Sequence, residues 1–285
     1  MTAESADTDK FPARLHVIIA RIAIRAIVFR RGPSKYVCTV LWNMDNDEFS
    51  VGQWLKGRIY ERRSDISPNG QYLIYFALNG KWSSPTGGSW TAISRTPWLR
   101  AITLLGKGDG WHGGGLFADN RSYWLNDGYG HKVMRQSNEV SRNKEFSPEQ
   151  YFGGECLSVY YPRLMRDGWT LKEQEKTEQS WHSITVFEKS IPSGWALRKL
   201  AHAQVNSPQG KGCYWDEHVL IDGRNKTEQA EPLWEWADFD GKSLVYAEGG
   251  CLYRRSLINP KKIGEPKCIF DFNPMTFKAI KAPYD

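Results

Sequence analysis

The sequence predicts an all-β chain, and three observations carry the prediction. Apolar runs of strand length recur along the 285 residues, cut by Gly, Pro, Asn and Asp. Helical periodicity is scarce. A short turn-plus-strand pattern also returns several times.

The runs are Ala26–Arg30, Tyr36–Trp42, Gln71–Ala77, Trp90–Ser94, Arg100–Leu105, Leu157–Tyr161, Ser183–Phe187, His218–Ile221, Ser243–Ala247 and Cys268–Phe272. They are rich in Val, Ile, Tyr, Phe and Trp, which suit a pleated, half-buried surface. Leu15–Val28 has a helical rival, because Arg14, Arg21 and Arg25 can share a helix face. Its β-branched content favours a pair of strands. The polar stretch Thr170–Ser180 holds too few apolar residues for a long helix and reads equally as a loop. Residues 1–12 read as a flexible tail and 13–285 as one domain.

Bulk composition narrows the function classes. Thirteen Trp, 13 Tyr and 12 Phe exclude global disorder. Five cysteines without a CxxC pair point to reduced thiols rather than a disulfide framework. The first ten residues are polar and acidic, unlike a secretory signal, and Arg21 and Arg25 interrupt the most apolar segment. These features predict a cytoplasmic chain with no membrane partner. Net charge is +6, with 20 Lys+Arg against 12 Asp+Glu in residues 1–144. That excess suits a partner with an acidic surface but lacks the dense basic stripe of a nucleic-acid binder.

The repeat runs Asp65-Ile66-Ser67-Pro68-Asn69-Gly70-Gln71-Tyr72-Leu73-Ile74-Tyr75-Phe76-Ala77 and returns as Asp238-Phe239-Asp240-Gly241-Lys242-Ser243-Leu244-Val245-Tyr246-Ala247. Asn69-Gly70 and Asp240-Gly241 suit two-residue hairpin turns, because Asn, Asp and Gly tolerate positive φ. Fainter copies lie at Leu116–Leu125 and Tyr214–Ile221. Spacing is 51 residues from Gly70 to Arg121 and 96 from Arg121 to Glu217, then drops to 24 from Glu217 to Gly241. Each copy reads as a junction between neighbouring strands of a small antiparallel sheet.

Ser67-Pro68-Asn69-Gly70-Gln71-Tyr72-Leu73-Ile74-Tyr75 resembles the blade turn of TolB-type and WD-repeat-like β-propellers. The resemblance covers one clear copy and one shortened copy. It implies an irregular propeller of four to six blades, most simply five, with a β-sandwich as the alternative fold. The Trp-Asp dipeptide that closes many WD repeats is absent from that role, since Trp215-Asp216 precedes a strand.

Catalytic motifs fail on inspection. Trp111-His112-Gly113-Gly114-Gly115 has the look of an oxyanion-hole loop, but no G-x-S-x-G elbow accompanies it. The six histidines show no HxH or HExxH spacing, leaving convergence of His112, His131 and Asp127 as the one metal arrangement to check. The Asp45/Asp47 stretch lacks the Gly and Glu that an EF-hand requires. No cofactor or metal is expected.

The candidate binding residues are an aromatic and arginine cluster: Arg58, Tyr60, Arg62, Trp90, Arg95, Trp98, Trp111 and His112. Trp, Tyr and Arg are the residue types enriched at interaction hot spots. The leading expectation is a protein-binding or scaffolding propeller without catalysis of its own. The alternatives are a hydrolase or lyase acting on a carbohydrate-like substrate in the central channel, and a lectin-like sugar binder.

Overall fold

The computed structural model describes residues 11–32, 35–153, 156–176, 182–259 and 262–285. Most of the expected tail, residues 1–10, lies outside that set. The described chain is all-β, with a single α-helix among those residues.

Among the described residues five sheets follow one another along the chain, except that Lys132–Arg135 returns to the second. The first is a four-stranded antiparallel meander, Arg14–Ile19, Arg25–Arg31, Tyr36–Asn43 and Glu48–Lys56. Its first two strands resolve the Leu15–Val28 ambiguity in favour of strands, paired Leu15 to Arg30 and Ile19 to Ala26. The second sheet is built around Tyr72–Leu78, Ser89–Arg95 and Ala101–Gly106. The third is small, with Gly115–Phe117 antiparallel to Ser122–Leu125. The fourth runs Thr170–Lys176, His182–Ile191, Trp195–Gln204, Tyr214–Asp222 and Thr227–Glu231. The fifth contains Trp234–Phe239, Ser243–Glu248, Cys251–Asn259 and Lys267–Asp271.

Two expectations on local structure are corrected. Leu157–Tyr161 is not a strand but the start of the helix Leu157–Arg166. Its buried Leu157, Tyr160, Tyr161 and Leu164 recur at helical spacing, so one helix face meets the core. Thr170–Lys176 is neither loop nor helix: it pairs along His182–Ile191, and main-chain pairing to a long neighbour overrides its polar composition.

The repeat turns behave as hairpins at three of the four copies. Gly70 sits at φ 69°, its N–H donates to the Ser67 carbonyl at 2.7 Å, and the Ser67 hydroxyl accepts from the N–H groups of Gln71 and Tyr72. Asp240-Gly241 joins Trp234–Phe239 to Ser243–Glu248 in the same way. The third copy joins Gly115–Phe117 to Ser122–Leu125. The fourth, Tyr214–Ile221, is one uninterrupted strand, which is why the spacing collapses there.

Apolar clusters link the sheets in succession. Val28, Val40 and Trp42 of the first sheet pack on Trp236, Val245 and Leu252 of the fifth. Ile27 and Phe29 pack on Leu73, Tyr75 and Ala92 of the second. Ile74 and Ile93 of the second meet Phe117 and Tyr123 of the third. The helix and the fourth and fifth sheets share the largest cluster, with Trp169, Phe187, Leu197, Trp234 and Tyr246. The helix also touches Gly115–Phe117, so it stands between the third and fourth sheets.

Candidate functional site

Where the strand Arg14–Ile19, the helix and the fourth sheet meet, the interior is charged rather than apolar. Tyr214–Asp222 alternates so that Asp216, His218 and Leu220 are buried while Glu217 faces out. The short 3₁₀ turn Glu61–Arg63 delivers Glu61, Arg62 and Arg63 from the second sheet. The helix contributes Tyr160 and Arg163, and the first strand contributes His16.

Asp216 is the hub. Its Oδ2 accepts from Tyr160 Oη at 2.6 Å and from Arg62 Nη2 at 3.1 Å, with Lys199 Nζ at 3.8 Å. Its Oδ1 is buried and has no hydrogen-bond partner. Burial alone would raise this carboxyl, but Arg62, Lys199 and His218 together hold it below the usual carboxylate range. Lys199 donates to His218 Nε2 at 2.8 Å, and His218 Nδ1 bonds the Trp234 carbonyl at 3.1 Å. Burial lowers Lys199 to about 8 against the pull of Asp216 and Asp238. Burial and Lys199 push His218 well below its ordinary value, which matches its role as acceptor.

A second chain of contacts runs behind the first. Arg163 donates to His16 Nε2 at 3.0 Å and to the carbonyls of Glu61 and Ser64. Burial and Arg163 lower His16 well below its ordinary value. Glu61 accepts from Arg31 at 2.5 Å and from Arg62 at 3.5 Å. Burial opposes its ionisation, yet Arg31, His16 and Arg62 bring it down to about 2.

Two cavities meet at His16. One, of about 320 Å³, is lined by Arg14, His16, Arg31, Glu61, Arg62, Lys211, Trp215, Asp216 and Glu235. The other, of about 470 Å³, is lined by His16, Tyr160, Arg163, Arg166, Trp169, Lys189 and Asp238. Trp215 forms one wall of the smaller cavity and is backed by His202, the rings 4.5 Å apart and 6° from parallel. Burial raises Glu235, although Arg14, Arg31 and Lys211 all favour its charged form.

The predicted binding residues do not form one face. Arg62 alone joins the buried group. Arg58 is exposed and lies over Tyr60, 4.5 Å from the ring centroid. Trp90 packs between the first and second sheets. Arg95 pairs with Glu139 at 2.7 Å and stacks on Tyr284. Trp98 is half-buried, and its backbone N–H donates to the Arg95 carbonyl. Trp111 and His112 share a loop in which His112 packs edge-on to Tyr129, while Trp111 remains 61% exposed.

His112, His131 and Asp127 do not converge as ligands. His131 Nδ1 bonds Asp127 Oδ1 at 2.8 Å, whereas His112 turns to Asn126. Among the described residues no group of three His, Cys, Asp or Glu side chains is placed to hold a metal. His131 Nε2 also meets Thr91 Oγ1 at 3.0 Å, giving the connectivity of an acyl-transfer triad. Thr91 is fully buried and accepts the Gly114 N–H at 2.9 Å, so this chain holds the loop and offers no nucleophile. The glycines of that loop serve packing. A Cβ on Gly114 would stand 1.8 Å from the Arg63 carbonyl oxygen.

Asp216, Tyr160, His16, Lys199, Glu61 and Glu235 escape a reading of the sequence because they are scattered over four sheets and the helix. The one local signal is the pair of titratable residues Asp216 and His218 at inward positions of an alternating strand. No helix among the described residues is long and apolar enough to cross a membrane.

No protein-family model and no curated protein matches the chain. Solved structures similar to it include the uncharacterized protein lmo1340 from Listeria monocytogenes EGD-e, at 11% identity and TM-score 0.35, covering 93% of this chain and 97% of that one. Hydrazine synthase from Kuenenia stuttgartiensis is similar at 9% identity and TM-score 0.30, covering 90% of this chain and 80% of that one. A prolyl endopeptidase structure gives 7% identity and TM-score 0.26, covering 90% and 43%. At these scores the likeness carries no functional inference.

Proposed function

We propose that the chain is an irregular five-bladed propeller-like protein that binds a small polyhydroxylated, sugar-like ligand in the cavity floored by Asp216. The succession of sheets, each packed on the next with the helix between third and fourth, supports the propeller reading. The observation that carries the ligand reading is the unpartnered Oδ1 of a buried, ionised Asp216 beside a 320 Å³ cavity. An unmet buried acceptor costs about 1–3 kcal/mol, more when charged, so a donor placed there is favoured. An ammonium donor would meet Arg62 and Lys199, whereas a hydroxyl donates to Asp216 and accepts from the Arg62 guanidinium. Trp215 supplies an aromatic wall for the apolar face of a sugar ring. Asp216 lines the cavity, and side-chain adjustment of the kind common on binding brings a hydroxyl to its Oδ1.

The test is thermal unfolding of the native chain with glucose, galactose and mannose, each titrated into the millimolar range. A saturable rise in Tm for at least one of them supports the reading, because a ligand bound only by the folded state stabilises it. Unchanged Tm for all three argues against it.

Recognition of a protein partner is the second reading, favoured by a different observation. Trp82, Trp111 and Tyr129 are 57%, 61% and 89% exposed. Their loops pack together: a Cβ on Gly87 would stand 2.8 Å from Gly108, and Lys107 lies over Tyr129. Exposed aromatic groups of this kind mark interaction surfaces. A stoichiometric partner captured by the native chain and lost by Trp82→Ala/Trp111→Ala supports this reading, and equal capture by both removes it.

A further inference from the structure

Resting on the sugar-like reading of the Asp216 cavity, we infer that its ligand is an anionic sugar, carrying a carboxylate or phosphate at the end away from Asp216. The cavity is lined by four cationic side chains, Arg14, Arg31, Arg62 and Lys211, against three carboxylates, Glu61, Asp216 and Glu235. These charges are not evenly matched. Arg31 is tied to Glu61, and Arg62 to Asp216 and Glu61. Arg14 and Lys211 have no carboxylate ion-pair partner among the described residues. Both are exposed, and Arg14 donates to the Gly210 carbonyl at 2.6 Å, which fixes it against the loop bearing Lys211. Both stand close enough to Glu235 to favour its ionisation, yet burial wins and raises that carboxyl. The mouth therefore holds two exposed cations, neither in an ion pair with a carboxylate among the described residues, beside the half-buried Glu235.

The two ends of the cavity ask for different groups. At the floor, an ionised oxygen lacks a donor. At the mouth, a guanidinium and an ammonium lack an anion. Arginine and lysine both bind carboxylate and phosphate, arginine as a planar fork and lysine as a point charge. A sugar acid or sugar phosphate carries hydroxyl donors and an anion on one small frame, and so meets both ends together. An uncharged sugar leaves the mouth unmet.

Isothermal titration of the native chain at low salt with glucose, glucuronate, glucose 6-phosphate and inorganic phosphate tests this. At least one of the two anionic sugars is expected to bind ~10-fold or more tightly than glucose, equivalent to about 1.4 kcal/mol. In Arg14→Ala/Lys211→Ala, whose changes lie at exposed positions, that preference is expected to fall below ~3-fold. Added salt is expected to weaken the anionic sugar selectively. Glucose binding as tightly as both anionic sugars overturns the inference and leaves the sugar-like reading standing. An anion preference that persists in the double variant also overturns it, since the charge would then be read elsewhere. Inorganic phosphate binding as tightly as glucose 6-phosphate removes the sugar from the proposal. No heat from any of the four overturns both readings together.

Discussion

Tyr160 Oη donates to Asp216 Oδ2 at 2.6 Å and so ties the helix Leu157–Arg166 to the strand Tyr214–Asp222. Both side chains are buried, and Asp216 pushes the Tyr160 phenol further in the direction burial takes it, well above its ordinary value. Tyr160→Phe deletes this hydrogen bond and little else. Hydrogen bonds to charged groups contribute about 1.5–3 kcal/mol, so a loss of that size is expected in urea unfolding. An unchanged midpoint would mean that Asp216 is held by its charged neighbours Arg62 and Lys199 without help from Tyr160.

Asp216→Ala should cost more. It leaves Arg62 and Lys199 buried without their shared carboxylate. Removing one partner of a buried ion pair costs about 3–5 kcal/mol. Comparison of the two variants under one denaturant separates the hydrogen bond from the charge balance, with Asp216→Ala expected to be the less stable.

The interior charges make stability depend on pH: Glu235, which burial raises, acts one way, but four buried groups act together in the opposite direction. Glu61 and Asp216 are held below the usual carboxylate range, and His16 and His218 below the usual imidazole range. The unfolded chain therefore binds more protons than the folded chain throughout these windows, and stability rises with pH. The histidine part is lost as pH falls below about 6.5, the carboxylate part below about 4.5. The Glu61 contribution is gone near its folded value of about 2. Scanning Tm from pH 8 to 3 should show a continuous fall on the acid side, shallower in Glu61→Gln. A flat profile between pH 7 and 4 would contradict this account of the interior.

Gly114→Ala distinguishes a packing loop from an oxyanion loop. Gly114 sits at φ 73°, and an added Cβ meets backbone at 1.8 Å. The left-handed conformation costs an ordinary residue about 1–2 kcal/mol before any clash. Loss of more than about 2 kcal/mol is expected in chemical unfolding, beyond what that conformation accounts for. Stability within error of the native chain would reopen a functional role for His112-Gly113-Gly114-Gly115.

Much of the architecture is legible in the sequence because strands announce themselves locally. Tyr36–Asn43 and Ser243–Glu248 are short apolar runs ended by turn residues, and the structure places them within a residue or two of the expected bounds. Leu157–Arg166 shows the limit of that signal. Leu-Ser-Val-Tyr-Tyr has strand composition, and Pro162 lies inside the helix. The spacing of Leu157, Tyr160, Tyr161 and Leu164 carries the correct period, and packing on Phe187 and Leu197 decides for it.

The site was less legible for a different reason. Arg62 stands out beside Tyr60 and Arg58, but its partner Asp216 is 154 residues away. No local rule joins a 3₁₀ turn of the second sheet to a strand of the fourth. The Trp and Arg enrichment of the first half reflects several separate tasks. Trp90 fills an interface between sheets, Arg95 pairs with Glu139, and Arg62 neutralises a buried carboxylate.

The most direct measurement is a crystal structure of the chain grown with a saturating amount of whichever of glucuronate and glucose 6-phosphate binds more tightly. The sugar is expected in the cavity lined by Trp215 and Arg31, with one hydroxyl within hydrogen-bond distance of Asp216 Oδ1 and the anionic group beside Arg14 and Lys211. Ordered sugar at another place, or Asp216 Oδ1 still without a ligand donor at saturation, would contradict it.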